Sequence, residues 1–156
     1  MLRSVVRILV IVLAGYAAVM LAVFVWPFAA REPSRDAVAS AKSPDGRVIA
    51  KLIEVNAGAT TSFQYLVTLS EEGTTTEPYE VASLYGSVRN SSAFGANLRW
   101  TSPQELTVEY LEAKSAELLR PKVTLPSGEV AVVLRPNVTD ANAPAGGMLY
   151  NLGGRR

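Results

Sequence analysis

A long apolar run near the N-terminus constrains this chain more than any other feature. From Ile8 to Trp26 the sequence has nineteen consecutive residues without a charged side chain. An α-helix rises about 1.5 Å per residue, so this run would form a helix roughly 28 Å long, close to the thickness of a bilayer core. A buried helix of a soluble protein is rarely apolar on every side over such a length. The run therefore predicts a transmembrane helix, with the lipid bilayer as the partner of residues 8–26.

The residues on either side of this run indicate whether it is cleaved and how it is oriented in the membrane. Pro27 follows directly, and we expect the helix to end there. Cleaved signal peptides have shorter apolar cores with a small-residue site close behind, whereas here the Ala-x-Ala pattern at residues 37–39 comes more than ten residues later. A retained signal anchor is therefore expected. Basic residues nearly balance across the span, and the short flank with its free amine favours an N-terminus inside the cytoplasm and an extracytoplasmic domain beyond the inner (cytoplasmic) membrane, periplasmic or extracellular.

Composition divides the chain into four parts. Residues 1–26 form the flank and the anchor, and residues 27–42 mix Pro, Ala, Ser and charges, which predicts a flexible or irregular linker. Residues 43–139 are rich in β-branched and aliphatic side chains and predict a β domain. Residues 140–156, rich in Gly and Ala, predict a flexible tail.

Alternating and β-branched runs separated by turns predict a mainly β protein, a transmembrane helix followed by a small antiparallel β-sandwich or open barrel. Ser43–Gly46 (SPDG) predicts a tight turn before the first strand. That strand is apolar on both faces, so we expect it to be central. Residues 112–119 favour an extended or irregular link over a short helix, because Pro121 limits any helix. The predicted strands span residues 47–55, 63–69, 80–85, 97–101, 106–111 and 129–135.

Composition also narrows the chemistry. The chain has no cysteine and no histidine, which excludes disulfides, thiolate zinc sites, cysteine nucleophiles and imidazole bases. The central part has eight basic and twelve acidic residues over 43–142, a balance unsuited to nucleic acid. We expect no enzyme activity, no cofactor and no metal. The four glutamates that might have formed a catalytic carboxylate pair are interpreted as solvated surface, namely Glu54, Glu105, Glu109 and Glu112.

The loop of residues 56–62 (NAGATTS) is the most unusual segment. Its three consecutive hydroxyls beside a glycine offer donors to a small anion or sugar, although such side chains more commonly bond the loop's own backbone. No basic residue is near it in sequence. The candidate ligand-binding residues are Asn56, Gly58, Thr60, Thr61 and Ser62.

The sequence supports two functional hypotheses. The first is a single-pass membrane-anchored protein whose β domain is a binding or assembly module in the cell envelope, with an envelope protein as the candidate partner. The alternative is a receptor for a small polar ligand, an anion or a sugar, that uses the loop of residues 56–62.

Three motifs carry a resemblance to a family. Ser43–Gly46 reads SPDG, Gly58–Phe63 reads GATT-x-F, and Trp100–Tyr110 reads W, then L-x-V-x-Y. In these motifs the chain resembles a family of uncharacterised bacterial proteins with a signal or membrane segment and a domain of unknown function. Such relatives often have Cys before the Gly of GATT, where this chain has Ala57, so any site that depends on that thiol is absent here. The resemblance implies no known activity.

Overall fold

The structure of this protein, a computed structural model, describes residues 2–29, 32–58, 61–90 and 93–139. The chain divides into two compact units, with the boundary between Glu32 and Pro33. The first unit contains the helix α1 (Leu2–Ala29). Its stretch Val6–Phe24 is 19 residues long with a mean hydropathy of 2.5, and none of it is buried. Among the described residues it is the one helix long and apolar enough to cross a membrane, a property that a signal sequence shares.

The helix extends three residues beyond Trp26, its predicted last residue. Helix α1 continues through Pro27 and ends at Ala29. Proline lacks the N–H that would bond the preceding turn, but its fixed φ of about −65° is itself helical. Within the last turn of a helix, the loss of that one hydrogen bond is tolerated.

Five strands form the first sheet of the second unit. They are β1 (Ser34–Lys42), β2 (Val48–Asn56), β3 (Gln64–Glu71), β4 (Tyr79–Tyr85) and β9 (Ser115–Leu118). The order is β1-β2-β3-β4-β9, and every neighbouring pair is antiparallel. The first four strands therefore make a simple meander, and β2 lies inside the sheet, which confirms its predicted central position.

Four strands form the second sheet, in the order β10-β11-β8-β7. They are β7 (Asn97–Ser102), β8 (Glu105–Glu109), β10 (Lys122–Leu125) and β11 (Gly128–Arg135). A two-stranded ribbon of β5 (Arg89–Asn90) and β6 (Ala93–Phe94) connects the sheets along the chain. Strands β8 and β11 are parallel, because the chain leaves β8 for β9 in the other sheet before it returns. The sequence pattern does not predict this pair.

One apolar core joins the two sheets, and this confirms a mainly β class with the sheets stacked as a sandwich. Its largest fully buried side chains come from both sheets. Each sheet keeps its own edge strands, so the described strands form no closed barrel. Trp100 links the sheets, since its indole Nε1 donates to the backbone oxygen of Ala41 at 3.1 Å. The fully buried set is Val48, Leu52, Tyr65, Val67, Leu69, Val81, Leu84, Leu106 and Val108.

The predicted linker of residues 27–42 is wrong over most of its length. Ser34–Lys42 is an edge strand, and it pairs with β2 from Ser34↔Asn56 to Lys42↔Ile49. Its alanines and serines carry no strong β pattern, so the pairing partner decides the conformation. The β unit consequently begins at Pro33 rather than at residue 43. The predicted flexible tail, residues 140–156, lies outside the described residues.

The remaining local predictions fare better. The SPDG turn is confirmed: the Gly46 N–H donates to the Ser43 carbonyl at 2.8 Å, and the Ser43 hydroxyl donates to Asp45 Oδ1 at 2.6 Å. This bond, together with the Arg47 N–H and the Arg47 charge, lowers the pKa of Asp45. Residues 112–119 are extended as favoured, and part of them forms β9.

Candidate functional site

Within the predicted ligand loop, residues 56–62, the described residues bond to one another. The Asn56 side-chain oxygen accepts from the Gly58 N–H at 2.9 Å. Both the backbone N–H and the hydroxyl of Thr61 donate to the Gly58 carbonyl, at 3.2 and 3.1 Å. Thr60 lies outside the described residues. The side chains of two of the five candidate residues, Asn56 and Thr61, therefore bond the loop's own backbone, which is the commoner use of such residues.

A lysine that directly precedes β9 lies against Ser62, the last candidate of this loop. Lys114 Nζ donates to the Ser62 hydroxyl at 2.7 Å and lies 5.9 Å from the ring centroid of Tyr85. The Ser62 N–H donates to the Tyr85 hydroxyl at 3.3 Å. No basic residue is near the loop in sequence, but Lys114, which is 52 residues away, is brought beside it by the pairing of β9 with β4. No local sequence signal shows this contact.

The Ser62–Lys114–Tyr85 cluster has a specific electrostatic character. The Ser62 backbone N–H, then the Ser62 hydroxyl, and then the Lys114 charge lower the pKa of Tyr85. A serine beside a lysine is also an arrangement found in nucleophilic catalysis, but a catalytic lysine is desolvated among apolar side chains. Lys114 is exposed. The cluster is therefore suited to hold the loop or a polar ligand, rather than to activate Ser62.

Two of the four glutamates predicted to be solvated are buried, so that interpretation is wrong for Glu54 and Glu109. They are 7% and 6% exposed, whereas Glu105 and Glu112 are exposed as predicted. Glu54 shares the inward face of β2 with the core side chains, and the Tyr65 hydroxyl donates to its Oε2 at 2.8 Å. A buried carboxylate requires such a donor, since desolvation without one is expensive.

Glu109 lies between two arginines in the second sheet. Arg135 of β11 is its direct register partner, and Arg99 of β7 lies two positions beyond the other partner, Asn97. Both guanidiniums reach the same carboxylate oxygen: Oε1 of Glu109 is 3.4 Å from Nη1 of Arg99 and 3.3 Å from Nη1 of Arg135. The chain after β11 folds back beside β8, because the Val138 N–H donates to the Tyr110 carbonyl at 3.1 Å.

This ion cluster lines a surface cleft. The cleft has a volume of about 560 Å³ and lies between the edge strands β1 and β7. Residues 39–41 and 96–98 line two sides of the cleft. Val138 and Thr139, the last described residues, line its rim. The charged side chains that line it are Arg99, Glu109 and Arg135. Sequence reasoning missed this site because its residues meet only through the registers of β7, β8 and β11.

The described residues contain no group of three or more His, Cys, Asp and Glu side chains placed to hold a metal ion. No family model, no curated protein and no solved structure matches this chain. The resemblance carried by the SPDG, GATT-x-F and W…L-x-V-x-Y motifs therefore stays a prediction.

Proposed function

We propose that this chain is a single-pass membrane-anchored protein whose β unit is a binding or assembly module in the cell envelope. The observation that supports it is the stretch Val6–Phe24, apolar over 19 residues with none of it buried. Apolar surface in water costs about 25 cal/mol per Å², a cost that hydrocarbon relieves. The retained anchor has its N-terminus in the cytoplasm, and the β unit lies on the periplasmic or extracellular side of the cytoplasmic membrane.

Binding is the role that the β unit supports best. Two stacked sheets with a common core provide a rigid scaffold. The polar cleft beside β1 and the loop of residues 56–62 lie on its surface, and loops and clefts on rigid scaffolds are where proteins bind. The partner is an envelope protein or a ligand that the β unit holds at the membrane.

Membrane fractionation tests the anchor and its orientation. We expect the full-length chain to stay in the membrane pellet after alkaline carbonate extraction. In spheroplasts, external protease should digest the β unit. A chain that is released by carbonate, that has lost its N-terminal segment, or that is protected from external protease contradicts the proposal. Crosslinking in intact cells followed by purification then tests for an envelope partner.

The alternative role, a receptor for a small polar ligand at residues 56–62, is favoured by one contact. Lys114 brings a cation to Ser62, and its ammonium keeps donors that can reach a ligand. A thermal-shift screen of anions and sugars tests it. A ligand that raises the Tm of the wild type and of Lys51→Met, an exposed control, but not of Lys114→Met supports this role. The absence of any stabilising ligand rejects it.

A further inference from the structure

We propose that the cleft between β1 and β7 binds a carboxylate group through the guanidiniums of Arg99 and Arg135. This inference rests on the proposed role of the β unit as a binding module, and it adds the site and the chemical class of the ligand. It does not depend on the anchor or its orientation. The buried Glu109 is a positioning residue in this site, because its carboxylate contacts both arginines.

The arginines keep most of their hydrogen-bonding capacity. A guanidinium has five N–H donors, and a carboxylate can engage two of them side by side. Each arginine here meets Glu109 through one nitrogen only, and both share a single oxygen atom. Each side chain is 62% exposed, and among the described residues neither has a second acceptor. Two partly free guanidiniums therefore border the cleft.

The charge of the cluster matches a monoanion. Two guanidiniums and one carboxylate leave a net charge of +1 at the wall of the cleft. A bound carboxylate makes this cluster neutral and fits the planar arginine side chain. A phosphate group, at about −1.5 to −2, exceeds the charge available and places the excess beside Glu109.

Glu109 prepares the site before the ligand arrives. Because its carboxylate is 6% exposed, it is fixed by its surroundings and restricts both arginines. Restricted side chains lose less entropy on binding, which raises affinity. The small side chains of residues 39–41 and Ala96 leave a volume of about 560 Å³. That volume falls within the roughly 300–1,000 Å³ of small-molecule sites.

The carboxylate can come from two sources. One is a small organic acid, which uses the arginines alone. The other is the C-terminus of a peptide, whose main chain can also pair with the backbone of an edge strand. Residues 39–41 of the edge strand β1 line the cleft. The arginines recognise the carboxylate in the same way in both cases, and only the peptide gains contacts beyond it.

Nuclear magnetic resonance of the isotope-labelled full chain in detergent micelles tests the site. Four probes are titrated at constant ionic strength: acetate, N-acetyl-trialanine with a free C-terminus, the same peptide amidated, and inorganic phosphate. Acetate should shift the backbone resonances of residues 39–41 and 96–99. If the peptide with the free C-terminus binds more tightly than acetate and the amidated peptide causes no shifts, the ligand is a peptide C-terminus. Equal binding of the two acids identifies a small acid.

Matched variants connect these shifts to the arginines. Arg99→Gln and Arg135→Gln should each weaken acetate binding about tenfold or more, which corresponds to the loss of one charged hydrogen-bond partner. Arg99→Lys keeps the charge without the planar pair of donors, so it should also weaken binding. Arg35→Gln is the control, since Arg35 is 63% exposed and has one ion pair of 3.4 Å outside the cleft. It should bind acetate as the wild type does.

Three results overturn the inference. They are unchanged affinity in Arg99→Gln and Arg135→Gln, binding of phosphate without acetate, and the absence of shifts in the cleft. Shifts confined to the loop of residues 56–62, or to another surface, remove the cleft site but leave the β unit as a binding module. The anchor is tested separately by fractionation. A dispersed amide spectrum of each variant shows that it has folded, so a loss of binding is then assigned to the site.

Discussion

Tyr65 is the largest of the fully buried side chains in the described residues. It is fully buried, its hydroxyl donates to Glu54, and its ring packs against the backbone of Gly95. Gly95 has a φ of +83°, and a Cβ placed on it would lie 2.9 Å from Cε2 of Tyr65. Glycine is therefore required here for two reasons, its left-handed backbone and the missing side chain. Gly46 has a similar φ of +73° but open space around it.

This contrast makes Gly95→Ala and Gly46→Ala a matched pair. We expect Gly46→Ala to lower the free energy of unfolding by about 1–2 kcal/mol, the cost of a left-handed alanine. Gly95→Ala should lower the free energy of unfolding by roughly 1–3 kcal/mol more than Gly46→Ala does, because the buried Tyr65 ring must move. Chemical denaturation of both variants measures the difference. Equal losses would show that the ring accommodates the methyl group without strain.

Tyr85 should ionise at a lower pH than an ordinary tyrosine, because its pKa is lowered. Its pKa lies below the usual 10.0, chiefly because the Ser62 N–H and hydroxyl stabilise the phenolate, with a smaller part from Lys114. A pKa lower in the folded state means that the stabilising effect is complete above pH 10 and is lost as the pH falls through the folded pKa. Ultraviolet titration of the wild type minus Tyr85→Phe isolates this group. A midpoint at or above the ordinary value contradicts the contact.

Among the elements, β1 has neighbours in both sheets. It is an edge strand, and its pairing with β2 is irregular between Ala37 and Ala39. This bulge interrupts the regular ladder of hydrogen bonds between β1 and β2. On its other side, β1 is linked to the second sheet by the hydrogen bond from Trp100 to Ala41.

Trp100→Phe should loosen β1 selectively. The substitution removes the indole donor and leaves the Ala41 carbonyl without this partner, a loss of about 1 kcal/mol or more. Amide hydrogen exchange should become faster in residues 34–42, while β3, which lies between β2 and β4, keeps its protection. Uniformly faster exchange in both strands would instead indicate a general loss of stability.

The strands that sequence analysis predicts are those with a local signal. Alternating apolar residues identify β3, β-branched runs identify β2 and β11, and Pro-Asp-Gly identifies the turn before β2. Strand β1 has no comparable pattern, and β10 alternates over only four residues, so the conformation of both depends on their partners. The same limit applies to the sites. Asn56 and Thr61 act within their own loop, whereas Lys114 and the arginines of the cleft are brought in by long-range pairing.

For the whole molecule, the decisive contrast is between an unburied apolar helix and a β unit with its own core. The two units differ in their surfaces, because the first exposes apolar side chains along Val6–Phe24 and the second buries its apolar side chains in a core. A charge should therefore have different consequences in the two units.

Leu13→Arg tests this contrast. An arginine near the middle of a membrane helix costs roughly 2.5–3.5 kcal/mol on insertion scales. We expect a reduced share of the chain in the carbonate-resistant membrane pellet. Leu119→Arg is the control, because Leu119 is 40% exposed on the β unit and its charge would meet water. Equal recovery of both variants in the pellet would argue against a helix that spans the bilayer.

The parallel pairing of β8 with β11 also affects the order in which the two sheets can form during synthesis. As the chain is synthesised from its N-terminus, β1 to β4 can assemble as soon as they emerge, since each pairs with the strand before it. The layer that covers them is delayed, because β8 gains its parallel neighbour only when β11, nearly the last described segment, has been made. Until then, the inner face of the first sheet is open. A newborn chain therefore passes through an interval in which the apolar inner face of the first sheet is exposed and aggregation is a hazard.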